Sequence, residues 1–159
     1  MITEPHKRIP ARGLLAWRIS GTIHSVFPFV LSGGAIAAAF LFNWPIWVIG
    51  ASLMFYSAYA YLVIMTFPSL RWKRWRYEVR ENEIELKHGI FVIKRTLVPM
   101  IRVQHVDTKQ GPILRKFRLA TVTISTAATV HEIPALDVDE AEELRFFISL
   151  LARAADDDV

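Results

Sequence analysis

The chain contains no cysteine, and one run of 49 residues, Ile19–Phe67, contains no Asp, Glu, Lys or Arg. The absence of cysteine excludes disulfides and thiolate chemistry. The absence of charge indicates a membrane segment, because each helical crossing needs about 20 apolar residues and the run is long enough for two. Asn43-Trp44-Pro45 interrupts the run with a turn signal. We therefore predict a helical hairpin with spans near residues 23–42 and 45–67.

Basic residues flank the uncharged run on both sides, whereas the turn at its centre carries no charge. Cytoplasmic loops collect Lys and Arg, so we expect both termini in the cytoplasm and Asn43 outside. The run starts too late and is too long for a cleaved signal peptide. We predict an N-terminal segment 1–18, a membrane hairpin 19–70 and a cytoplasmic domain 71–155. The flanking cations are Lys7, Arg8, Arg12 and Arg18 before the run, and Arg71, Lys73, Arg74 and Arg76 after it.

The two halves of the chain differ in charge. Residues 1–76 carry a net charge of +7, and residues 77–159 carry a net charge of −3. A nucleic-acid-binding domain is expected to present a basic folded face. The acidic balance of the soluble half therefore argues against nucleic acid as a partner.

From Trp75 onward the hydrophobic period changes to two, which is typical of half-buried strands. Glu81-Asn82 suits a two-residue hairpin, and Pro99 is expected at a strand end or bulge. All links are short, so the sheet should be antiparallel. The predicted strands cover residues 76–80, 83–87, 91–98, 101–109, 119–125 and 130–133.

A helix is predicted at the end of the chain, with Asp137 or Asp139 as its N-cap. One face of this helix is apolar and should cover the sheet, with Leu144 and Phe147 buried. The face consists of Ala141, Leu144, Phe147, Ile148 and Leu151. Together these elements predict a membrane α-hairpin followed by a small α+β domain, in which a bent antiparallel sheet or partly open barrel is closed by the helix.

Several stretches resemble the bacterial pleckstrin-homology (PH) domain proteins of the membrane-anchored, YdbS-like type. They include WRYEV at residues 75–79, VPMIRVQHVD at 98–107 and QGPILRKF at 110–117. The order of parts, two spans and then the domain, agrees with this family. The resemblance implies a PH-like fold in the bacterial inner membrane, but it implies no particular biochemical function.

Two details limit what the resemblance implies. The family commonly has Gly where this chain has Arg118, which leaves the backbone geometry of that turn open and adds a positive charge. Eukaryotic PH domains hold inositol phosphates with basic residues around the loop between their first two strands. In this chain that turn is Glu81-Asn82, which is short and acidic, so phosphoinositide binding is not implied.

No constellation for catalysis is visible in the sequence. His105 and Asp107 fall on one strand face, but a catalytic site needs a nucleophile, a base and an orienting group. The five histidines are scattered without metal-ligand spacing. We therefore expect neither an enzyme nor a cofactor, a metal or a small-molecule substrate.

Three groups of residues are candidate interaction sites. Arg71, Lys73, Arg74 and Arg76 would set topology and contact anionic headgroups, at about 1 kcal/mol each. Gly33, Gly34, Ala37 and Ala38 form small-xxx-small pairs that allow close helix packing, either on the second span or on another protein's helix. Lys109, Arg115, Lys116 and Arg118 form a basic patch that contacts a partner or headgroup, or is a solvated face.

Two functional interpretations remain open. In the first, the chain is a non-catalytic scaffold or accessory subunit that docks on a larger membrane protein complex or on copies of itself. In the second, it binds or senses an anionic lipid surface through its basic patches.

Overall fold

The computed structural model describes residues 5–157, so the first four residues of the predicted N-terminal segment lie outside it. The described chain divides into two compact units. One unit is residues 17–70. The other combines residues 5–16 with residues 71–157.

Residues 17–70 contain the membrane hairpin. Helix α1 is Ala11–Leu41, α2 is Trp47–Tyr61, and a π-helical segment, Leu62–Thr66, joins α2 to α3, Phe67–Arg74. The second arm is thus one helix of 28 residues, and both arms are long and apolar enough to cross a membrane. The hairpin agrees with the prediction. Its arms are longer than predicted because the charged flanks also remain helical.

The two arms of the hairpin touch at small residues. A Cβ atom at Gly21 would lie 2.7 Å from the carbonyl oxygen of Val63, so only glycine fits there. Further along, Ser32 donates a hydrogen bond to the carbonyl of Ser52 at 3.2 Å. Large apolar side chains face outward, as lipid requires; they include Phe27, Val30, Leu41, Ile46, Met54 and Phe55.

The domain consists of two antiparallel sheets and a C-terminal helix. Its strands are β1 (Lys7–Arg8), β2 (Arg76–Val79), β3 (Glu83–His88), β4 (Lys94–Pro99), β5 (Val103–Lys109), β6 (Leu119–Thr126) and β7 (Val130–Asp137). The first sheet has the order β1-β2-β3-β4 and the second the order β5-β6-β7. The short helix α4, Pro112–Lys116, connects β5 to β6, and α5, Val138–Asp157, follows β7. This is the predicted fold class.

The core lies between the sheets and α5. Alternation along β2 and β3 sends Tyr77, Ile84 and Leu86 inward, and β6 contributes Val122 and Ile124. Helix α5 covers this core with Ala141, Leu144 and Ile148, which are all buried. Burying apolar side chains of this size is the main source of stability for so small a domain.

Three details of the prediction are wrong. Phe147 is 46% exposed, because the buried stripe of α5 is narrow and runs through Leu144 and Ile148. Phe91, Val92 and Ile93 form a turn instead of the start of a strand. Residues 101–102 belong to a 3-10 turn, Met100–Arg102, so β5 begins at Val103. Pro99, in contrast, ends β4 as predicted.

The segment before the first span belongs to the domain. Lys7 and Arg8 pair with Tyr77 and Arg76 of β2, and Ile9 is buried. The indole Nε1 of Trp72 donates a hydrogen bond to the carbonyl of Ile9 at 2.9 Å. The predicted division treated residues 1–18 as a part of their own. In the structure, the described residues up to Ala16 group with the domain.

Candidate functional site

A row of four cations crosses the outer face of the first sheet. Arg8 pairs with Arg76, Arg76 with Lys87, and Lys87 with Arg95. Residues paired in this way point to the same face of a sheet. Like charges side by side are unfavourable, and at one end of the row Arg95 is compensated by an ion pair with Glu85. The row starts next to the membrane arm, since Arg76 is two residues beyond the end of α3.

An apolar turn, here called the β3–β4 tip (residues 89–93), extends beyond this row. Gly89 has φ +130°, and a Cβ there would collide with the carbonyl of Val92, so the turn requires glycine. Phe91 and Val92 are 85% and 80% exposed, and Ile93 is exposed as well. The Arg74 guanidinium donates a hydrogen bond to the carbonyl of Ile90. The tip therefore contacts Arg74, the last residue of α3.

A cavity of about 600 Å³ opens beside the tip, between β3, β4 and β7. Here it is called the histidine cavity. His88 from the end of β3 and His131 from β7 line it, together with Lys94 and Arg71. Trp75 forms one wall, and its ring stacks on the imidazole of His88 with centroids 5.1 Å apart.

Positive charge in the histidine cavity exceeds negative charge. Arg71, Lys94 and the two imidazoles face one carboxylate, Glu132. Burial lowers the pKa of His88, and the charges of Lys94, Arg71 and His131 lower it further. Burial and Lys94 likewise lower the pKa of His131. Among the described residues, nothing forms a hydrogen bond with the buried Nδ1 of His88.

The outward face of α5 is apolar near its middle. Phe146 is 68% exposed, and Leu150, one turn later, is also exposed beside Phe147. Acidic residues occupy the same helix, with Asp139 and Glu140 in its first turn. Contiguous exposed apolar surface is uncommon on monomeric proteins and often marks an interaction site.

Part of the predicted basic patch comes together in the structure. Arg115 and Arg118 line a second cavity of about 580 Å³ with Arg12. Asp137 and Asp139 line the same cavity, and Arg12 forms an ion pair with Asp137 at 3.3 Å. Two of the predicted cations, Lys109 and Lys116, do not line it. Carboxylates therefore balance much of this patch, in contrast to the histidine cavity.

The juxtamembrane cations have separate positions. Arg71 lines the histidine cavity, Arg74 holds the tip, Arg76 belongs to the cation row, and Lys73 is exposed. Their contact with lipid headgroups stays a prediction.

The predicted small-residue face of α1 points away from the second arm. A Cβ atom built at Gly33 or Gly34 meets no atom within 4 Å, and Ala37 is exposed while Ala38 is partly so. These glycines therefore do not pack on the second span, which packs on Gly21 instead. Their packing on another protein's helix stays a prediction.

The His105–Asp107 pair lies on the exposed face of β5. His105 Nε2 and Asp107 Oδ1 are 3.0 Å apart. Ser149 lines the same cavity as His105, but its hydroxyl donates to the carbonyl of Arg145 at 2.8 Å. Within residues 5–157, no three His, Asp or Glu side chains are grouped to hold a metal ion.

Sequence reasoning did not find the histidine cavity or the complete cation row. The two-residue turn predicted at Glu81-Asn82 is present, with the Arg80 amide bonded to the Glu83 carbonyl at 2.9 Å. That turn alone would have paired Arg76 with Lys87. The positions of Lys94 and Arg95 depend on the register of β3 with β4, and the position of His131 depends on how β7 approaches them. No local sequence pattern reveals either.

The fold and these surfaces define a class of protein, a small PH-like domain attached to a helical membrane hairpin. The family model "Bacterial PH domain" matches residues 21–152, and the chain belongs to this family of bacterial PH domain proteins.

Named relatives agree with this assignment. The chain is 46% identical to the UPF0699 transmembrane protein YdbS of Bacillus subtilis (strain 168) over the full length of both chains. It is 28% identical to the UPF0699 transmembrane protein YdbT of the same organism, over 70% of this chain and 20% of that longer protein. No solved structure gives a significant match. The chain is thus a membrane-associated PH domain protein.

Proposed function

We propose that this chain is a non-catalytic accessory subunit, whose hairpin anchors it in the bacterial inner membrane and whose domain docks on another membrane protein. The observation that carries this proposal is the outward face of α5, with Phe146, Phe147 and Leu150 exposed. Aromatic side chains of this kind are enriched at the centres of protein interfaces.

The chemistry of α5 favours a protein partner over lipid. Glu142 and Glu143 adjoin the apolar face, and both are exposed; Arg145 forms an ion pair with Glu142 at 2.7 Å, so Glu143 contributes most of the negative charge there. An anionic leaflet would repel these carboxylates, whereas a protein surface can pair them with cations at the rim of an interface.

A pull-down of the full chain in mild detergent tests the docking proposal. We expect a stoichiometric membrane protein partner that is lost when Phe146→Ser and Leu150→Ser are combined. Phe91→Ser with Val92→Ser is the matched control, since it removes exposed apolar surface from the β3–β4 tip and should leave the partner bound. A partner retained by the α5 variant, or lost equally from both variants, would contradict the proposal.

A second function is supported by the cation row and the β3–β4 tip, namely contact of the domain with an anionic lipid surface. Arg8, Arg76 and Lys87 would contact the anionic headgroups, and Phe91 and Val92 would enter the interface. Each cation near an anionic leaflet contributes about 1 kcal/mol. The contact between Arg74 and Ile90 supports this function, because it holds the tip beside the last residue of α3.

The absence of cysteine allows a direct test of the lipid contact. A polarity-sensitive dye on Val92→Cys should shift to the blue in nanodiscs that contain anionic lipid, and the shift should shrink at high salt because charge contacts are screened. Glu81→Cys, at the opposite end of β3, is the control and should stay in water. A dye at Val92 that reports water in every lipid composition would exclude this second function.

A further inference from the structure

We infer that the histidine cavity is a binding site for a phosphate group, held by Arg71, His88, Lys94 and His131. This inference deepens the lipid-contact function, because the cavity opens beside the β3–β4 tip. Its ligand chemistry is a phosphate group in a phospholipid headgroup or in a soluble phosphate ester.

The excess of basic over acidic residues in the cavity lining is the first observation behind this site. Four groups that are or can become cationic converge on one cavity of about 600 Å³, and Glu132 is the carboxylate among its lining residues. Like charges brought together repel one another, and a bound anion would relieve that repulsion. The cavity with Arg115 and Arg118 differs, because Asp137 and Asp139 balance it.

An available donor is the second observation. The buried Nδ1 of His88 has no hydrogen-bond partner among the described residues. The stacking contact with Trp75 restrains the ring. A buried polar atom left without a partner costs free energy, and a phosphate oxygen would satisfy it when the imidazole carries a proton there.

The titration of the two histidines supplies a signature for binding. Without a ligand, burial and the charges of Arg71 and Lys94 lower the pKa of His88, while burial and Lys94 lower that of His131. A bound phosphate would favour the protonated rings and raise both pKa values. Glu132 on β7 is the carboxylate in the lining. Its charge acts on Arg71, where it favours the protonated guanidinium. Protonation of the two rings should therefore tighten binding as the pH falls toward the usual histidine pKa of about 6.5, until the second ionisation of the phosphate, near pH 6, removes charge from the ligand.

The experiment uses the full chain in nanodiscs and follows the histidine ring resonances by NMR. In one arm, glycerol phosphate is titrated into phosphatidylcholine nanodiscs. In the other, phosphatidic acid replaces increasing fractions of the phosphatidylcholine, with no soluble phosphate ester present. The phosphodiester of phosphatidylcholine is common to both arms, so the added phosphomonoester is the variable. We expect saturable shifts of His88 and His131 in at least one arm, with His105 unaffected. A response to glycerol phosphate alone indicates a soluble ester, a response to phosphatidic acid alone indicates a lipid headgroup, and responses in both arms indicate a site for either.

Matched variants separate the site from general electrostatic attraction. Lys94→Gln should weaken binding by at least about tenfold, since it removes a charge-assisted contact. Lys116→Gln removes the same charge outside the cavity and should leave the shifts unchanged. His88→Gln should remove the pH dependence attributable to that ring. No saturable shift in either arm, or equal effects of Lys94→Gln and Lys116→Gln, would overturn the inference. The dye at Val92 reports whether the β3–β4 tip enters lipid, whereas the histidine resonances report whether phosphate occupies the cavity. The first test can fail while the second succeeds, so failure of the lipid-contact function and failure of this inference are distinguishable.

Discussion

Arg118 adopts a backbone conformation that favours glycine. Its φ is +55°, at the position where the resemblance to bacterial PH proteins predicts Gly. Its amide bonds to the carbonyl of Arg115, and its own carbonyl accepts from the amide of Val138. The turn therefore keeps the glycine geometry although its residue has changed, and the side chain lines the cavity with Arg115.

Arg118→Gly should stabilise the domain by up to about 1 kcal/mol, because the left-handed conformation costs an L-residue about 1–2 kcal/mol while glycine loses about 0.5–1 kcal/mol of chain entropy. Arg118→Ala is the control. It removes the same charge but keeps the strained φ, so it should not stabilise. The measurement is denaturant unfolding of the full chain in detergent, and equal stability of the two variants would show that the backbone strain is negligible.

Neighbouring residues of α5 should respond differently to truncation. Ile148 is fully buried, so Ile148→Ala should lower the free energy of unfolding by about 2–5 kcal/mol. Phe147→Ala should cost less, about 1–2 kcal/mol in the isolated chain, because nearly half of the residue is already exposed. The same unfolding measurement compares them, and a larger loss for Phe147→Ala would contradict the structure.

At the scale of elements, the first sheet contains a buried carboxylate that depends on its neighbours. The side chain of Glu85 is 3% exposed. Arg95 on β4 binds one of its oxygens, and Arg80 approaches the other at 3.5 Å. The side chains of both arginines are more exposed than that of Glu85. If the ion pairs break, water can solvate the guanidinium groups but not the buried carboxylate.

Arg95→Leu should therefore destabilise the domain by about 3 kcal/mol, near the lower end for breaking a buried ion pair, since Arg80 remains. Adding Glu85→Gln to Arg95→Leu should restore part of the loss, because the buried group is then neutral. Thermal unfolding of the single and double variants gives the comparison. A double variant less stable than Arg95→Leu alone would show that the buried charge of Glu85 does not destabilise the domain when Arg95 is absent.

The sequence predicted those elements whose signals are local. The absence of charged residues located the hairpin, and the Glu81-Asn82 turn set the register of β2 and β3. Alternation located four of the six predicted strands to within two residues, but the strand predicted at 130–133 extends to Asp137. Phe91–Ile93 was assigned to a strand because β-branched and aromatic residues favour strands, yet Gly89 at positive φ turns the chain there. The two-residue strand β1 has no detectable period. The histidine cavity depends on contacts between distant segments, so the sequence alone could not reveal it.

At the scale of the whole molecule, topology can be tested with reporters. A fusion at the C-terminus should behave as cytoplasmic and one inserted at Asn43 as external, because the basic residues lie on the two flanks and none lies in the turn. Alkaline phosphatase and fluorescent-protein fusions measure the two positions. A C-terminal fusion active outside the cell would overturn this orientation.

The pairing of β1 with β2 also has a consequence for biosynthesis. Residues 7–8 leave the ribosome before either membrane arm, yet their partners, residues 76–77, follow both. The first sheet can be completed only after the entire hairpin has been made and both of its ends lie on one side of the bilayer. A chain that inserts one arm alone would leave the edge of β2 open and Ile9 without its place in the core. We therefore expect a chain that inserts one arm alone to remain incompletely folded and exposed to proteases that remove unfolded protein.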